Sequence, residues 1–71
     1  MVMDVFCQEH RNAFPQLGAW KHIDTVNVPD SELLNRDQMA SYAWDYAIRK
    51  TCERKGMNFD KYWFIAVQKM D

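Results

Sequence analysis

Residues 20–28 alternate between two sets of side chains, which is the pattern of a β-strand. One set would point to one side of a sheet, and it consists of Trp20, His22, Asp24, Val26 and Val28. The residues between them would point to the other side. The end of the segment is rich in β-branched residues, which favour strands, and Pro29 has no N–H to donate to a neighbouring strand. We therefore predict a strand that ends at Pro29.

Residues 62–70 also favour a strand, but here both alternating sets are apolar. Tyr62, Phe64 and Ala66 would lie on one side, and Trp63, Ile65 and Val67 would lie on the other. A strand that is apolar on both sides is typical of a central strand or of one covered on both faces. A short C-terminal helix is the alternative for this segment.

Apolar and small residues recur with helical spacing between residues 36 and 55, which predicts the main helix. Asn35 is a candidate N-cap, and Gly56 is suited to the left-handed residue that ends a helix. The side chains that fall within one broad arc form the predicted core face: Ala40, Ala43, Trp44, Ala47, Ile48, Thr51 and Cys52.

Residues 3–14 are ambiguous between strand and helix. Met3, Cys7, His10 and Phe14 share a face at helical spacing, as does Phe6. The β-branched and aromatic residues of the same segment favour a strand, which is the preferred interpretation. Pro15 and Gly18 predict a turn after it.

The resulting order is strand, strand, helix, strand, in a single small α+β domain over residues 1–71. We expect a ββαβ arrangement with one long helix packed on a three-stranded sheet; αβαβ and mostly helical arrangements are the alternatives. A single helix covers only one face of such a sheet. The other face would then lack cover, although aromatic residues make up 14% of the 71-residue chain.

The charge of the chain is nearly balanced, with nine basic and ten acidic residues and a net charge of -1. Binding to a polyanion through bulk charge is therefore not expected. The first residues lack the basic and long apolar regions of a signal sequence, and no apolar run could span a bilayer. These features predict a cytoplasmic protein with reduced cysteines and no membrane association; the location would be the host cytoplasm if the chain is phage-encoded.

The sequence offers only a weak case for metal binding or catalysis. Four residues could ligate zinc, namely Cys7, His10, His22 and Cys52, but only the first two are close in sequence. A triad of Cys7, a histidine and Asp24 would lack a nucleophile elbow and an oxyanion loop. We therefore expect no catalytic residue, no cofactor and no enzymatic activity.

Nucleic-acid binding is the alternative function. Four cationic residues cluster at the predicted C-terminal end of the helix: Arg49, Lys50, Arg54 and Lys55. Aromatic residues of the last strand could stack on bases next to them. The balanced net charge makes this interpretation the second choice.

The preferred function is that of a small non-enzymatic protein-binding module. The predicted contact residues are Met39, Tyr42 and Tyr46 on the helix, outside its core arc, and Tyr62 and Phe64 on the last strand. Tyrosine and methionine are enriched at protein interfaces. An exposed strand edge could instead pair with a partner strand or form a homodimer. Small proteins of this build occur among bacterial and phage accessory proteins, so we expect one that inhibits or modulates a larger host protein.

Overall fold

Three antiparallel strands form one sheet in the order β2-β1-β3, and one helix packs on it. The computed structural model describes residues 1–11, 13–29 and 39–69. Within the helix, side chains are described from residue 41 onwards. The strands and the helix are β1 (Val2–Glu9), β2 (Lys21–Asn27), α1 (Met39–Lys55) and β3 (Tyr62–Gln68). Short 3-10 turns occupy Leu17–Ala19 and Phe59–Lys61. The predicted α+β fold with ββαβ order is confirmed.

The first segment is a strand, and it is the central one. β1 is hydrogen-bonded to β2 on one side and to β3 on the other. Met3, Val5 and Cys7 point towards α1 and are buried, whereas the residues between them are only half-buried. The preferred prediction of a strand is therefore confirmed for this segment. The alternative of a helix, which was based on the helical spacing of apolar residues in 3–14, is wrong.

A β-bulge breaks the alternation that we predicted for β2. Val5 pairs with Asp24, but the next residue, Phe6, pairs with His22, so Ile23 is an extra residue on β2. His22 therefore shares a face with Phe6, whereas Asp24 and Val26 lie on the helix side. The prediction that His22 and Asp24 point the same way is wrong, because the extra residue shifts the period.

β3 is a strand as preferred, but it lies at an edge of the sheet. Its two sets of side chains alternate as predicted, since Phe64 and Ala66 are buried under the helix and Trp63 and Ile65 are half-buried on the other face. The expectation of a central or doubly covered strand is wrong. The sheet has only three strands among the described residues, and β1 occupies the centre.

The helix packs on the sheet through small residues. Ala43, Ala47, Ile48 and Thr51 are buried, as predicted, and Cys52 is half-buried. Trp44 was expected in this face but is 41% exposed. The Trp44 side chain instead lines a depression with Phe59 and Tyr62. The predicted start at residue 36, the Asn35 cap and the Ala40 side chain lie outside the described residues.

Gly56 ends the helix as expected. Its φ of 63° is in the left-handed region, and the Met57 N–H donates a hydrogen bond to the Cys52 carbonyl at 3.1 Å. Met57 then packs against the core. This C-cap turns the chain back towards β3.

The core lies between α1 and one face of the sheet. Its buried apolar members are Met3, Val5, Cys7, Val26, Val28, Ala43, Ala47, Ile48, Phe64 and Ala66. Among the described residues, none of the helices has the length and apolar character needed to cross a membrane.

Candidate functional site

Three large aromatic side chains are exposed beside the helix. Tyr42 is 48% exposed, Trp44 is 41% exposed and Phe59 is 55% exposed. Tyr42 and Phe59 line one open depression of about 720 Å³, and Trp44 and Phe59 line a second of about 290 Å³. Half-buried Tyr46 borders the first depression and half-buried Tyr62 the second. We call these five residues the aromatic surface.

Local hydrogen bonds fix Phe59 in its exposed position. The Asn58 side chain accepts a hydrogen bond from the Asp60 N–H at 3.0 Å, and the Asn58 carbonyl accepts one from the Lys61 N–H at 3.1 Å. The Phe59 ring stacks on Phe64, with centroids 5.6 Å apart. One side of Phe59 therefore rests on the core while the other side remains free to contact a partner.

The charges next to the aromatic surface are paired along the helix. Asp45 and Arg49 form an ion pair at 3.0 Å, and Lys50 and Glu53 form another at 3.5 Å. The Lys50 ammonium also lies 5.6 Å from the centroid of the Tyr46 ring. An apolar centre is thus bordered by a polar rim without a dominant sign of charge.

The structure separates the predicted contact residues into different environments. Tyr42 is exposed, Tyr46 and Tyr62 are half-buried against the core, and Phe64 is 8% exposed within it. Phe64 therefore offers almost no surface to a partner and supports Phe59 instead. The side chain of Met39 lies outside the described part of the chain.

Sequence reasoning missed two members of the aromatic surface. Trp44 falls within the arc of the helix that was predicted to face the core, so the helical spacing of the apolar residues gave no sign that Trp44 is exposed. Phe59 lies in a turn of three residues, where no hydrophobic period can be read. The signal available for Phe59 was its place between Gly56 and the polar residues Asp60 and Lys61, which is where a chain turns at the surface.

The cationic cluster does not form an unpaired basic patch. Arg49 is paired with Asp45, Lys50 is paired with Glu53, and Arg54 Nη1 lies 3.3 Å from both carboxylate oxygens of Asp24. Of the four predicted residues, Lys55 is exposed at the last turn of the helix. Three of the four charges are thus offset locally, which weakens the attraction of this end of the helix for phosphates.

The four candidate zinc ligands do not converge. Cys7 and Cys52 lie on the helix side of the sheet as free thiols, and burial raises the pKa of both. His22 lies on the opposite face, and His10 packs on Trp63 with ring centroids 4.2 Å apart. Within the ranges 1–11, 13–29 and 39–69, no three residues of the types that bind metals form a group able to hold an ion. The sheet therefore separates the two thiols from His22.

The face of the sheet opposite α1, which no described α-helix covers, is called the uncovered face, and it has a polar part formed by β1 and β2. The Thr25 hydroxyl donates to Asp4 Oδ1 at 2.8 Å, and His22 Nε2 lies 3.2 Å from the same oxygen. The hydrogen bond from Thr25 is the main reason that the pKa of Asp4 is lowered. Burial is the next largest effect and raises this pKa, whereas the hydrogen bond and charge of His22 and the charge of Lys69 lower it. The ring of His22 packs on the edge of Phe6 at 5.3 Å.

The other part of the uncovered face is apolar and lies along β3. Half-buried Phe6, Trp63 and Ile65 share this part with exposed Val67. The indole Nε1 of Trp63 is buried and has no hydrogen-bond partner among the described residues. This strip is a second apolar surface, and it meets the aromatic surface where Trp63 lines one depression with Trp44 and Phe59.

Comparison with known proteins returns no relative for this chain. No family model, no curated protein and no solved structure matches it.

Proposed function

We propose that this protein is a small non-enzymatic binding module that docks on a larger protein through its aromatic surface. The observation that supports this proposal is the grouping of exposed Tyr42, Trp44 and Phe59 around two adjoining depressions. Single exposed apolar residues are ordinary, but contiguous ones are typical of interaction sites. Aromatic side chains are also the usual anchors of protein interfaces.

The chemistry around these anchors fits a protein partner with an apolar recess. The ion pairs of Asp45 with Arg49 and of Lys50 with Glu53 form a rim in which the charges are balanced. Interfaces commonly have an apolar centre inside such a polar rim. A strongly acidic or basic partner would find no complementary field here.

The proposed effect on the partner is steric. A chain of 8.5 kDa seated on a larger protein would cover the surface beneath it, and this would inhibit or modulate whatever binds there. A bacterial or phage origin and a cytoplasmic location remain predictions from the sequence.

The partner class can be tested by affinity capture. The protein is immobilised and exposed to host lysate in two halves, one of which is treated with nuclease. We expect the same protein to be retained from both halves, and we expect Tyr42→Ala and Phe59→Ala to reduce its retention. Phe14→Ala is the matched control, because Phe14 is 76% exposed and lines neither of the two depressions.

Two results would contradict the proposal. Loss of the captured material after nuclease treatment would instead favour nucleic-acid binding, and a steep fall of affinity with salt would support that alternative. Equal capture by the wild type, Tyr42→Ala and Phe59→Ala would show that the aromatic surface is not the docking site.

A further inference from the structure

The outer edge of β3 presents backbone groups that bond to nothing within residues 1–11, 13–29 and 39–69. The Lys61 carbonyl accepts a hydrogen bond from the His10 N–H at 3.2 Å, and the Lys69 N–H donates to the Val2 carbonyl at 2.8 Å. The register between β1 and β3 is continuous between these two points, so the odd-numbered residues of β3 bond to β1. The residues whose N–H and C=O point away from the sheet are Tyr62, Phe64, Ala66 and Gln68.

The opposite edge of the sheet, on β2, is protected. The Thr25 N–H points outwards but is already bonded to Asp24 Oδ1 at 2.9 Å. The Thr51 hydroxyl and the Arg54 guanidinium hold the same carboxylate. The bulge at Ile23 interrupts this edge as well. Bulges and charged residues are the devices by which proteins prevent pairing at an edge.

None of these devices occurs within β3. The strand Tyr62–Gln68 contains no charged residue, no proline and no glycine, and its pairing with β1 has no bulge. The apolar strip of Trp63, Ile65 and Val67 lies directly beside its free edge. No described residue bonds to the outward groups of β3. The two edges of one small sheet are therefore built differently.

We propose that β3 pairs antiparallel with β3 of a second copy, which would join two sheets into one of six strands. With the two-fold axis at Ile65, Tyr62 lies opposite Gln68 of the second copy, and Phe64 lies opposite Ala66 of the second copy. All four outward residues of each copy are then used, which gives eight hydrogen bonds between the copies. A protein interface of standard size has about ten.

The same register also brings the apolar strips together. Trp63 lies opposite Val67 of the second copy on the uncovered face, in pairs whose side chains are close. The two copies thus extend one apolar strip across the new junction. The helices lie on the other face of the joined sheet.

A second copy fits this edge better than an unrelated strand for two reasons. The two-fold pairing uses every N–H and C=O group of β3 that points away from the sheet. It also keeps the side chains of both copies on the same faces of the joined sheet, so the second strand needs no sequence pattern other than that of β3. The net charge of -1 gives little repulsion between copies. Lys61 would lie opposite Lys69 of the second copy at each end, where exposure to water and salt reduces the repulsion between the two charges. Because the β2 edges are protected, assembly stops at the dimer.

The test compares two proline variants that each remove one outward N–H. Gln68→Pro removes a donor at the β3 edge, and Asn27→Pro removes one at the β2 edge; both side chains are exposed and neither N–H bonds to β1. Sedimentation velocity of the full chain over a wide concentration range should show a monomer–dimer equilibrium. We expect Gln68→Pro to weaken dimerisation roughly 10- to 100-fold and Asn27→Pro to leave it unchanged.

Amide hydrogen exchange gives a second measurement that does not depend on a variant. The amides of Phe64 and Ala66 should exchange slowly at concentrations that favour the dimer and quickly on dilution, whereas the Asn27 amide should exchange quickly throughout. A chain that is monomeric at all concentrations would overturn the proposal. So would a dimer that Gln68→Pro leaves intact while circular dichroism shows a native fold, or β3 amides that become protected only with a different protein.

Discussion

At the scale of single residues, the polar part of the uncovered face shows how one carboxylate stabilises the sheet. Asp4 on β1 accepts a hydrogen bond from the Thr25 hydroxyl on β2, and His22 lies within hydrogen-bond distance of the same oxygen. Both interactions favour the ionised carboxylate and lower its pKa below the ordinary value of 3.8.

This pKa shift predicts a loss of stability in acid. Because the pKa of Asp4 is lower in the folded state, its ionised form stabilises the fold above the unfolded pKa of about 3.8, and this stability is lost as the pH falls through the folded value. Asp4→Asn should be less stable than the wild type at neutral pH. Urea unfolding at several pH values should show the difference between the two proteins shrinking below pH ~3.8. A difference that stays constant into acid would contradict this account.

Residue-level exposure was only partly predictable from the sequence. The buried positions of Ala43 and Ala47 followed from helical period, since small side chains on the inner face permit close packing. The exposure of Trp44 did not follow from it, because the helical period assigns a residue to a face of the helix but does not show how deeply its side chain is buried there. Phe64 was assigned to a contact surface because the alternation of β3 does not say which of its two apolar sides the helix covers.

At the scale of elements, the spacing between α1 and the sheet is set by the buried alanines. Ala47 is fully buried on the side of the helix that faces the sheet. Ala47→Leu should therefore destabilise the fold by about 1–3 kcal/mol, because the added atoms have no space. Ser41→Leu is the control on the exposed side of the same helix and should change stability by less than about 0.5 kcal/mol. Equal effects of the two variants in urea unfolding would show that the helix is not closely packed.

The C-terminal end of α1 depends on the conformation of Gly56. A Cβ at this position would meet no atom within 4 Å, but φ is positive, so the cost of Gly56→Ala is backbone strain alone. We expect a loss of about 1–2 kcal/mol. Gly18→Ala has equal space and no positive φ, and it should be neutral or slightly stabilising. Thermal unfolding of both variants measures the difference, and a loss as large for Gly18→Ala would contradict the assignment.

The existence and order of the elements could be predicted because each has a strong period or clear end signals. The β2 bulge could not, since Ile23 and Asp24 carry no glycine or proline that would reveal an extra residue. The central position of β1 was equally hidden. Strand order depends on contacts between distant segments, and the local pattern of β3, apolar on both sides, indicated the wrong position for it.

At the scale of the whole molecule, a single helix covers one face of a three-stranded sheet and leaves apolar surface elsewhere. A domain of 71 residues buries only about 60% of its unfolded surface, so some exposed apolar surface is expected. Two groups of exposed apolar residues are the aromatic surface beside α1 and the strip along β3, whereas exposed Phe14 and Leu17 lie in the loop before β2. We propose a larger protein as the partner of the first and another copy as the partner of the second.

The aromatic surface and the edge of β3 meet at Tyr62, which belongs to both, and at the depression that Trp63 lines with Trp44 and Phe59. The depression that Tyr42 and Phe59 line contains no residue of β3, so we propose that a partner seated there can bind the dimer. A dimer would then carry two docking sites, and its affinity for an immobilised partner would exceed that of a monomer through avidity. Gln68→Pro should lower this apparent affinity and leave the affinity for the partner in solution unchanged, as measured by titration calorimetry.

The central claim is that exposed aromatic residues beside the helix dock on a protein. The most direct measurement is the Kd of the captured partner for Phe59→Ala relative to Phe14→Ala, with both variants verified as folded by circular dichroism. Since truncation of an anchor residue costs about 2 kcal/mol or more, we predict a Kd at least about 10-fold higher for Phe59→Ala and an unchanged Kd for Phe14→Ala. Equal Kd values for the two variants would contradict the claim.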